Sequence, residues 1–189
     1  MKQKVKLIVI SAPSGSGKTT LIRHLLSELP VFEFSISATT RPARTGETNG
    51  KDYYFLTVEE FKKRIEQQLF IEWEEVYEGR FYGTLKSEIT RIASANKTVI
   101  FDVDVKGGIN IKKLYGDKAL SIFIQPPSIE ILEARLKHRA TDSENDIKAR
   151  VDKAALEISF SSQFDRIIIN NDIDTAKTEL VSIVKEFLY

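Results

Sequence analysis

Branched apolar residues in this chain gather in short continuous runs rather than alternating with polar ones. Four such runs, over residues 6–11, 98–102, 120–125 and 166–170, read as strands buried on both faces, the pattern of a parallel sheet between helical layers. Between the runs the apolar spacing becomes helical. Leu21, Leu25 and Leu29 recur every four residues behind Lys18. Ile129, Leu132 and Leu136 form a stripe within residues 128–139, and residues 173–188 carry a last amphipathic pattern. Strands alternating with helices predict an α/β doubly wound core. Residues 31–84 break this rhythm. Their aromatic segments, 32–37, 53–56 and 70–77, are separated by turn-rich pieces such as Thr45-Gly46-Glu47-Thr48-Asn49-Gly50, and they predict a small mixed sheet inserted into the core. Residues 140–146 are irregular, and Ser143 with Asp146 three positions later resembles a helix-start cap, so a new helix is predicted there.

Composition removes several kinds of chemistry. The 189 residues suit one domain with a self-sufficient core. With 28 Lys+Arg against 27 Asp+Glu the formal charge is +1, which argues against a broad nucleic-acid-binding surface. The absence of cysteine excludes disulfides, thiolate nucleophiles, iron–sulfur clusters and cysteine zinc sites. His24 and His138 have no metal-ligand spacing. The apolar run at residues 7–10 is too short for a signal peptide or a membrane span, so a cytoplasmic protein with no membrane or nucleic-acid partner is expected.

The strongest chemical signal is Ser11-Ala12-Pro13-Ser14-Gly15-Ser16-Gly17-Lys18-Thr19-Thr20, lying between a predicted strand and a predicted helix. Glycines there let backbone N–H groups close around phosphate oxygens, and the helix N-terminus favours negative charge. Lys18 is placed to reach the β- and γ-phosphates of a nucleotide, and the Thr19 hydroxyl to face Mg²⁺. Ala12 stands where such loops usually carry their first glycine. A residue before proline is held at negative φ, where alanine meets no penalty.

A phosphate loop does not name the acceptor. Ser37 and the pair Arg41 and Arg44 lie in a hydroxyl-rich segment, and two guanidinium groups suit a second phosphate. Tyr53, then Phe70-Ile71-Glu72-Trp73 and Phe81-Tyr82-Gly83-Thr84, follow in order. Phe101-Asp102-Val103-Asp104 closes a central strand, whose carboxyl end faces the crevice in folds of this kind. Asp102 is the expected partner of the Mg²⁺ shell, and Asp104 lies on the same face. Arg135 and Arg139 are one helical turn apart, and Arg150 follows on the next helix. Taken singly, these tyrosines suit core packing, these arginines and Glu72 suit a solvated surface, and Asp104 suits a helix cap.

Together, in this order and nearly end to end, the motifs closely resemble those of guanylate kinases, which phosphorylate GMP with ATP. The resemblance implies that Arg41, Arg44, Tyr53 and Tyr82 hold the GMP phosphate, and that Ser37, Glu72, Thr84 and Asp104 read the guanine. A carboxylate such as Glu72 can accept from the adjacent N1–H and N2–H groups of guanine, and a hydroxyl of Ser37 or Thr84 can donate to O6. Adenine would leave Glu72 unpaired. The resemblance also implies a catalytic set of Lys18, Arg44, Arg135, Arg139 and Arg150, closing over ATP and Mg²⁺. Asn170 and Asn171 match the adenine-contacting site, with Asn171 in place of a common aspartate. Ala140 and Lys106 depart from a frequent glycine and a common glutamine. The implied organisation is a core of residues 1–31, 85–138 and 158–189, a GMP-binding insert of residues 32–84 and a lid of residues 139–157. Insert and lid are expected to move toward the core when both substrates bind. A catalytically inactive, protein-binding module of the same fold is the alternative. Monomer or homodimer, and GMP against dGMP, are left open.

Overall fold

The computed structural model describes residues 6–138 and 144–189. In chain order it contains β1 (Leu7–Ser11), α1 (Lys18–Glu28), β2 (Phe32–Phe34), β3 (Ser37–Thr39), β4 (Tyr54–Phe55), α2 (Val58–Glu66), β5 (Phe70–Tyr77), β6 (Arg80–Leu85) and α3 (Lys86–Ser94). There follow β7 (Thr98–Asp102), α4 (Val105–Tyr115), β8 (Ala119–Gln125), α5 (Ile129–His138), α6 (Glu144–Ser159), β9 (Arg166–Ile169) and α7 (Ile173–Leu188). The predicted α/β core is present: β2, β7, β1, β8 and β9 form, in that order, a five-stranded parallel sheet.

The continuous apolar runs have a simple cause. Every residue of β1 is buried, and alternate side chains feed opposite layers. Ile8 and Ile10 pack with Leu21 and Leu25 of α1 and Leu180 of α7, whereas Leu7 and Val9 pack with Ile92 of α3 and Ile111 of α4. Neither face is wet, so neither is polar. Among the described residues no helix is long and apolar enough to cross a membrane.

The inserted mixed sheet is also present, in the order β4, β3, β6, β5. β3 pairs in parallel with β4 and antiparallel with β6, and β6 is antiparallel to β5. It carries its own core, in which the Phe61 ring of α2 stacks 4.3 Å from Phe70 and 5.3 Å from Phe81. One expectation is corrected. Phe32–Phe34, read as part of the insert, pairs with β7 and forms the edge of the core sheet. Phe32 is 3% exposed within the core cluster of α1 and α7, and that burial outweighs the aromatic character it shares with the insert. The chain crosses between sheets at residues 35–36 and returns at the β6–α3 junction.

Two helices were not legible as such. α2 begins with a capping box, in which the Thr57 hydroxyl accepts from Glu60 N–H and the Glu60 carboxylate accepts from Thr57 N–H. The Thr57-x-x-Glu60 spacing is a signal for it. α3 lacks a side-chain cap and carries few apolar positions. α5 spans Ile129–His138 and α6 begins at Glu144, so the helix-start cap at Ser143 and the irregular residues before it lie outside the described residues.

Candidate active site

The phosphate loop joins the central strand β1 to α1. Ser16 N–H donates to the Pro13 carbonyl at 3.2 Å, which folds the crest of the loop. Gly17 has φ of +89°, and a Cβ there would lie 2.3 Å from Asn170 Nδ2, so backbone conformation and space both demand glycine. No side chain caps α1, which leaves its N-terminus available to an anion. Ala12 is buried, and the described non-glycine residues with positive φ are Gln68 and Asn96 alone, so alanine before Pro13 is accommodated as expected.

Asn170, 3% exposed at the end of β9, donates from Nδ2 to the Ser16 carbonyl at 2.7 Å. Arg135 of α5 in turn donates to the Asn170 carbonyl at 3.0 Å. The amide expected near adenine thus also braces the loop from below, while Asn171 beside it is exposed. Asn170→Ala is expected to lower the melting temperature by several degrees, because it orphans a buried carbonyl at a cost of roughly 1–3 kcal/mol, and a thermal melt checks this.

A cleft of about 680 Å³ lies over the loop, lined by residues 12–15, Gly17, Lys18, Thr19 and Thr20 and by Asp102 and Asp104 across from them. Lys18 Nζ forms an ion pair with Asp102 Oδ1. Thr19 is exposed in the first turn of α1. Its hydroxyl and the Asp102 carboxylate are oxygen donors on one cleft, the donor chemistry that Mg²⁺ takes.

Beside it is a second cavity of about 280 Å³, lined by Ser37, Tyr53, Glu72, Tyr82 and Asp104 among others. The two cavities share Ser37, Tyr53, Asp102, Val103 and Asp104, so they are contiguous. Glu72 faces this cavity from β5. Burial pushes its carboxyl up to about 7, with the Asp104 charge adding to the rise and Thr84 opposing it. Thr84 Oγ1 donates to Glu72 Oε1 at 2.6 Å. That hydroxyl is therefore committed to the carboxylate, and Ser37, paired with Thr84 across β3 and β6, is the aliphatic hydroxyl residue lining the cavity. Gly83 permits the close strand contact behind this pair, since a Cβ would lie 2.7 Å from the Glu72 carbonyl. Asp104 combines two expectations. It lines both cavities, and it caps α4 by accepting from Gly107 N–H at 2.7 Å.

The arginines are arranged less simply. Arg41, 9% exposed, forks onto Glu47 with Nη1–Oε2 and Nη2–Oε1 at 2.7 and 2.6 Å. Its guanidinium carbon lies 4.8 Å from the centre of the Tyr53 ring. The fork with Glu47 raises the Arg41 pKa above the ordinary arginine value, and it holds the Glu47 carboxyl at about 2, with help from Arg44 N–H. Arg44 is exposed, Arg135 braces Asn170, and none of Arg41, Arg44, Arg135 and Arg150 lines the two cavities. Arg139 lies outside the described residues. Two residues of α6 were missed: Glu157 lines the phosphate cleft and Lys153 the smaller cavity. They are 3.8 Å apart, and burial raises the Glu157 carboxyl. Their i, i+4 spacing beside buried Ala154 is a signal for a cleft-facing stripe, but the nearby arginines drew the reading away from it.

A glycine-rich loop on the central strand of a parallel sheet, an uncapped helix after it, strand-end carboxylates opposite and a contiguous second cavity define a phosphate-loop phosphotransferase. Residues 4–187 match the family model "Guanylate kinase", and the chain belongs to that family. The guanylate kinase of Bacteroides thetaiotaomicron is 54% identical over 183 residues, covering 97% of this chain and 90% of that one. That of Porphyromonas gingivalis is 53% identical over 184 residues, covering 97% and 98%. A crystal structure of guanylate kinase from Anaplasma phagocytophilum superimposes with a TM-score of 0.73 at 31% identity, covering 96% of this chain and 85% of that one.

Proposed function

We propose that the chain transfers the γ-phosphoryl group of ATP to GMP, giving ADP and GDP, with the phosphate loop as donor site and the Glu72 cavity as acceptor site. The observation that carries this reading is the meeting of the two cavities at Asp102 and Asp104, with a buried carboxylate, Glu72, at the far end of the smaller one. Ionised Glu72 accepts from guanine N1–H and N2–H, and Thr84 fixes its orientation. Ser37 donates to O6, and Asp104 lies near the exocyclic amine. Tyr53, Tyr82, Arg41 and Arg44 hold the GMP phosphate, and Asn170 and Asn171 border the adenine.

An oxygen of the GMP phosphate attacks the γ-phosphorus in line as the bond to the β–γ bridging oxygen breaks and ADP leaves. The attacking phosphate is already anionic, so positioning and charge neutralisation matter more than a strong base. Lys18 supplies positive charge at the β- and γ-oxygens. Arg44, Arg135, Arg139 and Arg150 are assigned to the phosphoryl in transfer. Thr19 and Asp102 would hold Mg²⁺, which when bound neutralises charge on the phosphate oxygens. We assign acceptor binding to the insert, starting after β2, and the lid to residues 139–157. The alternative of an inactive binding module has no observation in its favour, since Lys18, Thr19, Arg41, Arg44 and Glu72 are all present.

A coupled ADP-release assay offering GMP, AMP, UMP and CMP with ATP–Mg²⁺ tests the reading. GMP is expected to exceed the others in kcat/KM by about 10³-fold or more, since a site built to pair with a base rejects a base that leaves its groups unpaired. Equal turnover with AMP would overturn the role of Glu72, and no turnover with any acceptor would overturn the reaction.

A further inference from the structure

Outside both cavities, a fully buried carboxylate stands where the insert leaves the core. Glu88, in the first turn of α3, is 1% exposed. Its Oε2 accepts from Ile36 N–H at 2.7 Å and from Arg91 Nη2 at 2.9 Å. Its Oε1 accepts from Tyr54 OH at 2.8 Å and from Arg91 Nε at 2.9 Å. Arg91 extends the link to the core, reaching the Glu33 carboxylate of β2 through Nη1 and the Phe34 carbonyl through Nη2 at 3.1 Å. Lys97 approaches Glu33 at 3.5 Å from the other side.

The chain positions of these partners matter. Ile36 immediately precedes Ser37, and Tyr54 immediately follows Tyr53. Ser37 lies at the guanine end of the proposed acceptor site and Tyr53 at its phosphate end. The two segments lead into β3 and β4, neighbouring strands in parallel register, with Ala38 opposite Tyr54. A single carboxylate therefore fastens both segments to α3, and Arg91 fastens that carboxylate to the edge of the core sheet. A neutral side chain would fill the space without serving all four donors. Burial alone would push the Glu88 carboxyl upward, yet Arg91, Ile36 N–H and Tyr54 OH more than offset this and leave it below its ordinary value.

We propose that Glu88 is a positioning residue for the acceptor: through Ile36 and Tyr54 it sets the separation between the base-reading Ser37 and the phosphate-holding Tyr53, with Arg91 as its anchor in the core. This inference rests on the assignment of the smaller cavity to GMP. Misplacing one contact by about 1 Å can cost as much as 10²-fold, and here the loss is expected to fall chiefly on the acceptor, because no partner of Glu88 belongs to the phosphate loop, although Ile36 also borders the larger cleft.

Tyr54→Phe and Glu88→Gln test it, with KM for GMP and for ATP measured separately in each variant beside a thermal melt. Tyr54→Phe removes one hydroxyl and keeps the ring in the core of the insert. It is expected to raise the GMP KM about fivefold, with the ATP KM within about twofold of the unaltered enzyme. Glu88→Gln is expected to raise the GMP KM more than tenfold with the same split. If Glu88→Gln does not fold, Tyr54→Phe decides alone. An unmoved GMP KM, or GMP and ATP constants rising together, overturns the positioning role while the unaltered enzyme still turns over GMP. An unaltered enzyme that ignores GMP overturns the acceptor assignment, and the inference with it.

Discussion

Replacing Lys18 by alanine is expected to lower kcat for GMP phosphorylation by about 10³-fold while the protein stays folded. The ammonium is the cation that the loop itself places in the cleft, where it pairs with Asp102. Charge on the phosphoryl oxygens is redistributed in the transition state, so a preorganised cation there contributes more to kcat than to ground-state binding, and single donors of this kind are worth roughly 10²–10³-fold or more. The structural cost is small. The Lys18 and Asp102 side chains are 21% and 35% exposed. Ion pairs this open are worth about 0–1 kcal/mol, and water can reach the carboxylate left behind. A melting temperature within a few degrees, together with the kinetic loss, would separate chemistry from folding. Near-normal turnover would remove Lys18 from the reaction.

Glu72→Gln is expected to split function from stability in the opposite direction. Folding raises the Glu72 carboxyl to about 7, chiefly by burial, whereas an unfolded chain holds it near 4.3. A raised acid costs nothing at low pH, where both states are protonated. The cost grows as pH rises from the unfolded value to the folded one and is complete above about 7. At about 1.4 kcal/mol per pH unit it reaches the order of 4 kcal/mol. Glutamine keeps an oxygen for Thr84 and carries no charge, so the variant is expected to melt several degrees higher at pH 8 and to lose that advantage at pH 4.5. In return, its amide nitrogen presents donors to a guanine edge that itself only donates, and kcat/KM for GMP is expected to fall by about 10²–10⁴-fold. In the unaltered enzyme the same ionisation is expected to make the GMP KM rise as pH falls below about 7. Melts at the two pH values and a pH series of KM check these signs, and a flat GMP KM across pH 6–8 would detach Glu72 from base reading.

What the sequence makes visible and what it hides follow from the range of each interaction. Residues 98–102 and the Gly17-Lys18-Thr19 turn are legible because strand burial and loop conformation are encoded within a few neighbouring residues. Ser37, Tyr53, Glu72, Tyr82 and Asp104 are collected into one cavity from five separate segments, and the family resemblance, not periodicity, made them candidates. The membership of Phe32–Phe34 in the core sheet was hidden, because its partner lies some 66 residues away in β7 (Phe32 opposite Thr98) and aromatic character does not say which sheet it serves. The direction of the Thr84 hydroxyl, the forked contact of Arg41 with Glu47 and the junction at Glu88 were hidden for a related reason: a polar side chain shows its residue type in the sequence but not its partner.

If Arg41 holds the GMP phosphate as proposed, its fork with Glu47 also bears on which anions the acceptor site admits. Both terminal nitrogens of Arg41 already face a carboxylate supplied by the same short loop, so on the proposed assignment a phosphate would meet a tethered competitor there. Free inorganic phosphate or sulfate must displace a partner held at high effective concentration, with nothing else to offset that loss. A nucleoside monophosphate arrives with a base as well, and its contacts elsewhere in the cavity can cover the exchange. On that assignment Glu47 would make occupancy by phosphate conditional on the rest of the ligand, and the commonest small anions would be disfavoured.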